Sequence, residues 1–335
     1  MSSSTGTSLA TEAPDPEGHP PLQGPRQSTG RLGDRIFGGA AAGSGLLVIA
    51  IVVLIAVFLL VQAIPAISED KVSFLTSREW AVSDKKFGIV QMLWTTVATS
   101  ALALIIAVPF SIAIALFLTH YAPKWLAGPA AALIDLLAAV PSIVFGLWGY
   151  FVVAPKYSPI QDWISDHLGW FPLFGKVAGV GGGTTIFLVG IVLAIMVLPI
   201  VTALTREVFA QTPVAHQEAA LALGATKWEM IRTAVLPFGK PGIISASMLG
   251  LGRALGETVA VLYILSSLPG GTKWTWSLFN GGDTFASKIA NSASEFTPGI
   301  GTGAYIAAGL VLFVLTFVVN ALARIIIERR RDFSE

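Results

Sequence analysis

Six long apolar runs constrain this chain more than any other feature of its sequence. They cover residues 44–66, 89–119, 129–154, 184–208, 241–267 and 302–327. Each reaches about 20 residues, the length that a helix needs to cross roughly 30 Å of hydrocarbon. Each is continuous, unlike the alternating segments of a membrane barrel, so its backbone groups must be satisfied within a helix. The sequence therefore predicts an all-α membrane protein with six transmembrane helices.

Composition and basic flanks agree with this interpretation. Only 12% of the residues are charged, against about 25% in a soluble domain. Lys and Arg accumulate on the cytoplasmic side of membrane spans, and both ends of this chain carry Arg: Arg26, Arg31 and Arg35 before the first run, Arg324 near the end of the last run, and Arg329, Arg330 and Arg331 after it. Both termini are therefore predicted to be cytoplasmic. Two cytoplasmic termini require an even number of spans, which agrees with six.

The first 35 residues differ in composition from the rest of the chain. Residues 1–35 are rich in Ser, Thr, Gly and Pro and have few large apolar side chains. Such a segment buries too little apolar surface to offset the entropy lost on ordering. The domain prediction is a disordered cytoplasmic tail over 1–35, followed by a six-span domain over 36–335.

A polar insert separates the fourth and fifth runs, and it reads QTPVAHQEAALALGATKWEMIRTAVLP. It contains Glu218-Ala219-Ala220, then Gly224 four residues later, and it ends at Leu236-Pro237. By itself this pattern could form an ordinary amphipathic helix between two spans.

The insert resembles the EAA loop of ABC-transporter permeases, although Ala234 stands where that pattern prefers Ile. In that family the loop forms a short cytoplasmic helix that fits into a groove on a separate ATPase subunit. The resemblance implies a type I importer bundle, with the EAA loop at 210–240. It also implies that Glu218, Ala219, Ala220 and Gly224 couple the chain to an ATPase.

The fifth run contains two charges, Arg253 and Glu257. Residues at this i, i+4 spacing share one face of a continuous helix. An Arg at mid-membrane costs roughly 2.5–3.5 kcal/mol on the insertion scale, so it is expected to be paired or to face water. Its planar fork of donors matches an oxyanion. We expect Glu257 to hold Arg253 at rest and the pair to line an anion path; the alternative is a purely structural ion pair.

The third run adds two polar candidates to this path. Asp135 is its only charge, and Ser142 follows seven residues later, on the same face of a continuous helix. Pro141 between them breaks the helical hydrogen-bond ladder. Asp135 could instead reach water at the cytoplasmic end of the span. The predicted substrate path therefore comprises Arg253, Glu257, Asp135 and Ser142.

A narrower resemblance rests on the segments GLGRALGETVAVLYIL and DLLAAVPSIVFGLWG. Over residues 85–327 the chain is similar to the permease subunits of the phosphate-specific ABC importer, and more to the PstC-type than to the PstA-type. The resemblance implies inorganic phosphate import and a role for Arg253 and Glu257 in phosphate passage. In that family Glu is more common at the position of Asp135.

The same resemblance implies partners and a location. The expected partners are a PstA-type permease, two PstB-type ATPases that bind ATP and Mg, and a PstS-type extracytoplasmic phosphate-binding protein. The expected location is a bacterial cell membrane, in contact with lipid. The loops predicted to lie outside, near 67–88, 155–183 and 268–301, are rich in Gly, Trp and Pro. They either dock the binding protein or anchor the chain at the interface.

Several classes of function lack support in the sequence. There is no Cys, no phosphate loop of the G-x-x-x-x-G-K-[ST] type, and no HExxH or GxSxG motif. The chain is predicted to be neither an enzyme nor a nucleic-acid-binding protein, and to hold no metal or cofactor of its own. Two alternatives stay open: an ABC importer for sulfate or molybdate, and an anion transporter that works without ATP.

Overall fold

The structure is a computed structural model that describes residues 31–331, except 178, 267, 269–273 and 297–299. Residues 1–30 of the predicted tail lie outside the described residues. Residues 31–35, the rest of that tail, belong to the first helix. The chain divides into two compact units, Met1–Leu54 and Ile55–Glu335. The described part of the first unit is one continuous helical segment, and the second unit contains all the other elements.

Nearly all of the described chain with regular structure is helical. The helices are α1 (Arg31–Ser68), α2 (Val90–Leu116), α3 (Lys124–Ala138), α4 (Ser142–Trp148), α5 (Ala154–Leu168), α6 (Ile186–Ala210), α7 (Val214–Ala222), α8 (Lys227–Met230), α9 (Leu236–Leu255), α10 (Val259–Ile264), α11 (Phe285–Asn291) and α12 (Ile300–Arg331). Three π-helical turns extend α2, α4 and α8, at Phe117–Tyr121, Gly149–Val153 and Ile231–Val235. Short 3₁₀ turns lie at Val82–Asp84 and Ala293–Glu295.

Five helical segments are long and apolar enough to cross a membrane: Gly33–Ser68, Val90–Tyr121, Ile186–Ala210, Lys227–Leu255 and Gly301–Ile325. A sixth would be the pair Lys124–Ala138 and Ser142–Leu168, taken as one broken span. The all-helical membrane class is confirmed. The first, second, fourth and sixth apolar runs coincide with long helices, whereas the third and fifth do not form the uninterrupted helices that were expected.

The third run bends sharply. The helical segments before and after Pro141 meet at 88°, so the break expected at Pro141 is confirmed, and residues 129–154 do not form one continuous helix. Proline lacks the N–H that would continue the ladder and disfavours helical backbone in the residue before it. Asp135 and Ser142 therefore do not share one helix face. The helix after the bend continues to Leu168, so the first half of the predicted loop 155–183 is helical as well.

The fifth run is also interrupted. The helical segment begins at Lys227, ends at Leu255, and is followed by a break at Gly256 before the short helix α10. The prediction of one helix over 241–267 is wrong, and Arg253 and Glu257 do not lie one turn apart on a common helix.

The core of the second unit forms where α2, α6 and α9 pack together. Small residues allow the close contacts: a Cβ at Gly190 of α6 would lie 2.5 Å from Leu102 of α2, and one at Gly250 of α9 would lie 2.6 Å from Val197. In addition, the Ser111 hydroxyl donates a hydrogen bond to the Leu198 carbonyl at 3.1 Å, next to Pro199. These contacts tie α2 and α9 to α6, and α6 leads directly into the EAA loop.

The segment between α1 and α2 carries the only β structure of the described chain, strands β1 (Trp80–Ala81) and β2 (Lys86–Phe87), paired antiparallel. Trp80 contacts Phe87 edge-on, with ring centroids 5.9 Å apart. It also packs against Tyr305 of α12 at 5.5 Å. This hairpin therefore fixes the start of α12 beside the start of α2.

Candidate functional site

Arg253 lies in the wall of a cavity of about 620 Å³ formed by α6, α9 and α12. The other lining residues are Ile200, Ser245, Met248, Leu249, Gly252 and Asn320. Gly252 has open space where a Cβ would be, so the helix surface beside Arg253 is not filled by a neighbour. Leu249 is 57% exposed, and the cavity is therefore a groove on the surface of the chain.

The guanidinium of Arg253 has no carboxylate partner in the described part of the chain. Its Nε atom is buried and makes no hydrogen bond, and the ion pairs of the described residues do not include it. An unpaired cation beside an apolar wall is costly. The same arrangement makes it an available partner for an anion that enters the groove.

Glu257 contacts a backbone group instead of Arg253, so the predicted resting ion pair is absent. Its Oε1 atom accepts a hydrogen bond from the Ala260 N–H at 3.1 Å, and the side chain is buried. The first N–H groups of a helix have no partner within the helix, and a carboxylate at that end is favoured by the helix dipole. Glu257 therefore stabilises the start of α10 after the break at Gly256.

Ser142 begins α4, which packs against α10. A Cβ at Gly146 would lie 2.9 Å from the Cα atom of Ala260, and one at Gly149 would lie 2.7 Å from Ile264. The two helices thus run in the same direction, and their first turns lie at the same end. Ser142 and Glu257 therefore lie at the same end of the α4–α10 pair.

Asp135 pairs with Arg206, a partner that the sequence did not predict. The Oδ2 atom of Asp135 lies 3.5 Å from the Nη2 atom of Arg206. The pair joins α3 to the last turns of α6, just before the EAA loop. Asp135 does not line the groove of Arg253, so the four predicted path residues form more than one site.

The EAA loop folds as the short helix α7 and a tight turn. After α7, the Gly224 N–H donates to the Leu221 carbonyl at 2.9 Å, and the Ala225 N–H donates to the Ala220 carbonyl at 3.2 Å. These two bonds form a Schellman motif, which requires a left-handed residue, and Gly224 has φ +86°. Gly224 therefore ends the short helix α7 in a left-handed turn.

The next helix also has a defined start. Thr226 and Glu229 form a capping box: the Glu229 carboxylate accepts from the Thr226 N–H at 2.7 Å, and the Thr226 hydroxyl accepts from the Glu229 N–H at 3.3 Å. Such reciprocal bonds satisfy two orphan donors at a helix start. The chain is thus fixed on both sides of the turn at Gly224.

The four predicted coupling residues do not all face outward. Glu218 and Ala219 are exposed, and Leu223 beside them is 89% exposed. Ala220 instead packs against a buried cluster that includes Met230 and Ile231. Ala220 therefore holds α7 against its own chain, and the surface free for a partner is formed by the other side of the helix and its exposed end.

Three residues at these sites were not among the predicted site residues: Ser245, Asn320 and Arg206. Ser245 and Asn320 bring a hydroxyl and an amide to the groove of Arg253. Asn320 is a polar residue within the mostly apolar sixth run, which is a signal that could have identified it. Arg206 lies at the end of the fourth run, but nothing in the sequence shows that α3 packs beside it.

Residues 107–332 match the family model described as a binding-protein-dependent transport system inner membrane component. A phosphate transport system permease protein PstC 2 of Mycobacterium tuberculosis is 56% identical over 303 residues, which cover 88% of this chain and 92% of the relative. The PstC protein of Mycobacterium leprae is 55% identical over 298 residues, with 88% and 92% covered. That of Mesorhizobium japonicum is 37% identical over 318 residues, with 93% and 96% covered.

Solved structures agree at the level of the fold. A bacterial ABC transporter involved in the import of the acidic polysaccharide alginate superimposes with a TM-score of 0.55 at 17% identity, covering 89% of this chain and 99% of that one. The inward-facing MetNI methionine ABC transporter gives a TM-score of 0.51 at 14% identity, covering 72% and 95%. Both likenesses support the permease fold of ABC importers.

The fold and the family match define this chain as an inner-membrane permease component of an ABC importer, a multi-pass protein that works with ATPase and binding-protein partners. More narrowly, the chain belongs to the PstC family of phosphate transport permeases. Such a permease is non-catalytic and carries no cofactor of its own.

Proposed function

We propose that this chain conducts inorganic phosphate across the membrane and that Arg253 is the cationic contact on its path. The observation that carries the proposal is the unpaired guanidinium in the wall of a 620 Å³ groove. Phosphate offers several oxygens in a geometry that accepts two parallel N–H donors from Arg. The permease relatives named for phosphate transport support the same substrate.

The neutral residues of the groove suit passage rather than tight retention. Ser245 and Asn320 line it with a hydroxyl and an amide, and the other four lining residues besides Arg253 are apolar or Gly. A single fixed cation attracts the anion, while the neutral Asn320 amide can replace part of its water shell without adding charge. The Ser245 hydroxyl donates to the Pro241 carbonyl at 3.0 Å. Binding is then favourable enough for entry and weak enough for release.

A second permease, of the PstA type, is proposed to complete the path. The groove of Arg253 is open on one side, with Leu249 on its exposed wall. In hydrocarbon an Arg beside lipid is unfavourable, so it is expected to face the interior of an assembly or a water-filled cavity. A partner surface across the groove would provide that environment.

The outer side of α7 is proposed to dock on a PstB-type ATPase. Glu218, Ala219 and the 89%-exposed Leu223 lie together at this surface. An exposed large apolar side chain at the end of a short, well-capped helix suits insertion into a groove of a partner. In this arrangement α7 and both chain termini face the cytoplasm. ATP and Mg are bound by the ATPase subunits.

A PstS-type binding protein is proposed to dock on the opposite side of the membrane. Trp170 follows α5 and is 79% exposed. Trp274 and Trp276, by contrast, lie beneath Arg78, whose guanidinium carbon is 4.9 and 5.9 Å from the two ring centroids. We therefore assign the docking contact to the segment around Trp170 and a structural role to the Arg78 cluster. Residues 269–273 of the other predicted docking loop lie outside the described residues.

Uptake by the reconstituted assembly tests this function. The assembly is purified through this chain, placed in vesicles with ATP enclosed, and supplied with radiolabelled phosphate and the binding protein. Uptake that requires ATP and is reduced by unlabelled phosphate, but not by sulfate or molybdate, supports phosphate import. Equal competition by sulfate would support a broader oxyanion importer, and uptake without ATP would contradict coupling to an ATPase.

A further inference from the structure

A second groove, apart from that of Arg253, lies beside the EAA loop and has a volume of about 370 Å³. It is lined by Pro109, Ile112, Ala113, Leu116, Phe117, Tyr121, Trp228 and Leu236. Three of these are large aromatic side chains that the chain leaves about half exposed: Phe117, Tyr121 and Trp228. The volume falls within the range of roughly 300–1,000 Å³ that is typical of small-molecule sites.

The dimensions of the groove match one leaflet of a bilayer. From Pro109 to Tyr121 the helix rises roughly 18 Å, at about 1.5 Å per residue. Half of the hydrocarbon core of a membrane is roughly 15 Å thick. The apolar lining therefore extends over about the depth that the acyl chains of one lipid occupy.

The end of the groove nearest the EAA loop carries a cation. The Nζ atom of Lys227 lies 4.8 Å from the centroid of the Tyr121 ring, and Lys227 forms no ion pair with a carboxylate of the described residues. Tyr and Trp side chains favour the headgroup level of a membrane, which fits Tyr121 and Trp228 at this end. The groove thus combines an apolar body with a basic, aromatic mouth.

Two π-helical turns flank this mouth. Phe117–Tyr121 ends the helical run of α2, and Ile231–Val235 separates Trp228 from Leu236. Such single π turns inside α-helices occur frequently at functional sites. Phe117 and Tyr121 of the first turn line the groove, and the lining residues Trp228 and Leu236 lie on either side of the second, which argues that the shape of the groove is a built feature of the fold.

We propose that this groove binds an anionic phospholipid, with an acyl chain along α2 and the headgroup phosphate at Lys227. The positive charge complements the lipid phosphate, and the apolar lining complements the acyl chain. A free anion would leave the apolar lining unmatched, and a neutral oil would leave the charge unmatched. The bound lipid would contact both the end of α2 and Lys227 and Trp228, which lie within the Thr226–Glu229 capping box. It would therefore stabilise the position of the EAA loop against the membrane.

Photocrosslinking in bilayers of defined composition tests this site. A photoreactive p-benzoylphenylalanine replaces Phe117, and the assembly purified through this chain is placed in nanodiscs with equal amounts of phosphatidylglycerol and phosphatidylcholine. Mass spectrometry then gives the ratio of the two lipid adducts. We expect phosphatidylglycerol to be favoured, and Lys227→Gln to lower that ratio about fivefold, the effect of one basic residue at an anionic surface.

Two further variants complete the design. Lys240→Gln removes an exposed lysine of α9 that does not line the groove, and it should keep the wild-type ratio. Ala113→Phe fills the groove from an exposed position and should reduce the adducts of both lipids. The proposal is overturned by equal labelling of the two lipids, by an equal loss in Lys227→Gln and Lys240→Gln, or by crosslinks to a polypeptide in place of lipid.

Discussion

Asp135 of α3 and Arg206 of α6 form an ion pair, with 3.5 Å between Oδ2 and Nη2. The Arg206 side chain is 24% exposed and that of Asp135 is 54% exposed. Arg206 lies one turn before the end of α6, and the EAA loop follows. The pair therefore connects the helix before the bend at Pro141 to the last turn of α6, just before the loop that is proposed to dock on the ATPase.

The first prediction concerns this pair. Asp135→Asn and Arg206→Gln should each lower phosphate uptake, because either change releases α3 from the end of α6. Because the pair is partly exposed, the free energy of unfolding should change by at most about 1 kcal/mol. The double exchange Asp135→Arg with Arg206→Asp should recover most of the uptake. If the double exchange stays as impaired as the single variants, Asp135 has a separate role, such as contact with the substrate.

The second prediction concerns the turn of the EAA loop. Gly224 has φ +86°, and a Cβ at this position would meet no atom within 4 Å. Gly224→Ala should therefore act through backbone strain alone, of roughly 1–2 kcal/mol, and lower ATP-dependent uptake while the assembly still purifies intact. Gly224→Asn should be milder, since Asn tolerates this conformation better. Equal uptake in the wild type and Gly224→Ala would show that the left-handed turn does not matter for coupling.

Much of the fold could be predicted because the length of an apolar span is a strong signal. The EAA loop and its turn were found for a similar reason: Gly at the end of a short helix has a definite backbone role. The failures occur at Pro141 and Gly256. Pro141 was recognised as a break, yet the sequence does not give the size of a bend, which depends on how α3 and α4 pack.

The site at Arg253 was predicted only in part, and Glu257 explains why. The i, i+4 rule applies only within a continuous helix, and Gly is common in membrane helices, so Gly256 did not signal an end. Once the helix ends at Leu255, the backbone N–H groups of α10 need partners. The carboxylate of Glu257 satisfies one of them, and Arg253 is left facing the groove.

The third prediction follows from this contact of Glu257 with the Ala260 N–H. Glu257→Gln keeps an oxygen that can accept the hydrogen bond, so abundance and most of the uptake should be retained. Glu257→Ala removes the acceptor and should destabilise the chain by about 1 kcal/mol, as the loss of a helix cap does. Thermal unfolding of the two variants in detergent measures the difference. Equal damage in both would indicate that the negative charge itself is needed.

The fourth prediction separates the two outer tryptophan groups. A crosslinker in place of Trp170 should capture the binding protein, because this side chain is 79% exposed. The same crosslinker in place of Trp274 should not, because that ring packs against Trp276, with centroids 4.6 Å apart, and lies under Arg78. Capture from position 274 alone would reverse the assignment of the docking surface.

Phosphate uptake by the Arg253→Gln variant tests the central claim most directly. Its control is Lys240→Gln, which removes one positive charge from the same helix α9 at an exposed position. Arg253→Lys is measured alongside, since a point charge lacks the planar fork of donors. At matched abundance in the reconstituted assembly, we predict at least about a tenfold loss for Arg253→Gln, the effect of one charge-assisted hydrogen bond, a smaller loss for Arg253→Lys, and none for Lys240→Gln. Wild-type uptake in Arg253→Gln would contradict the account.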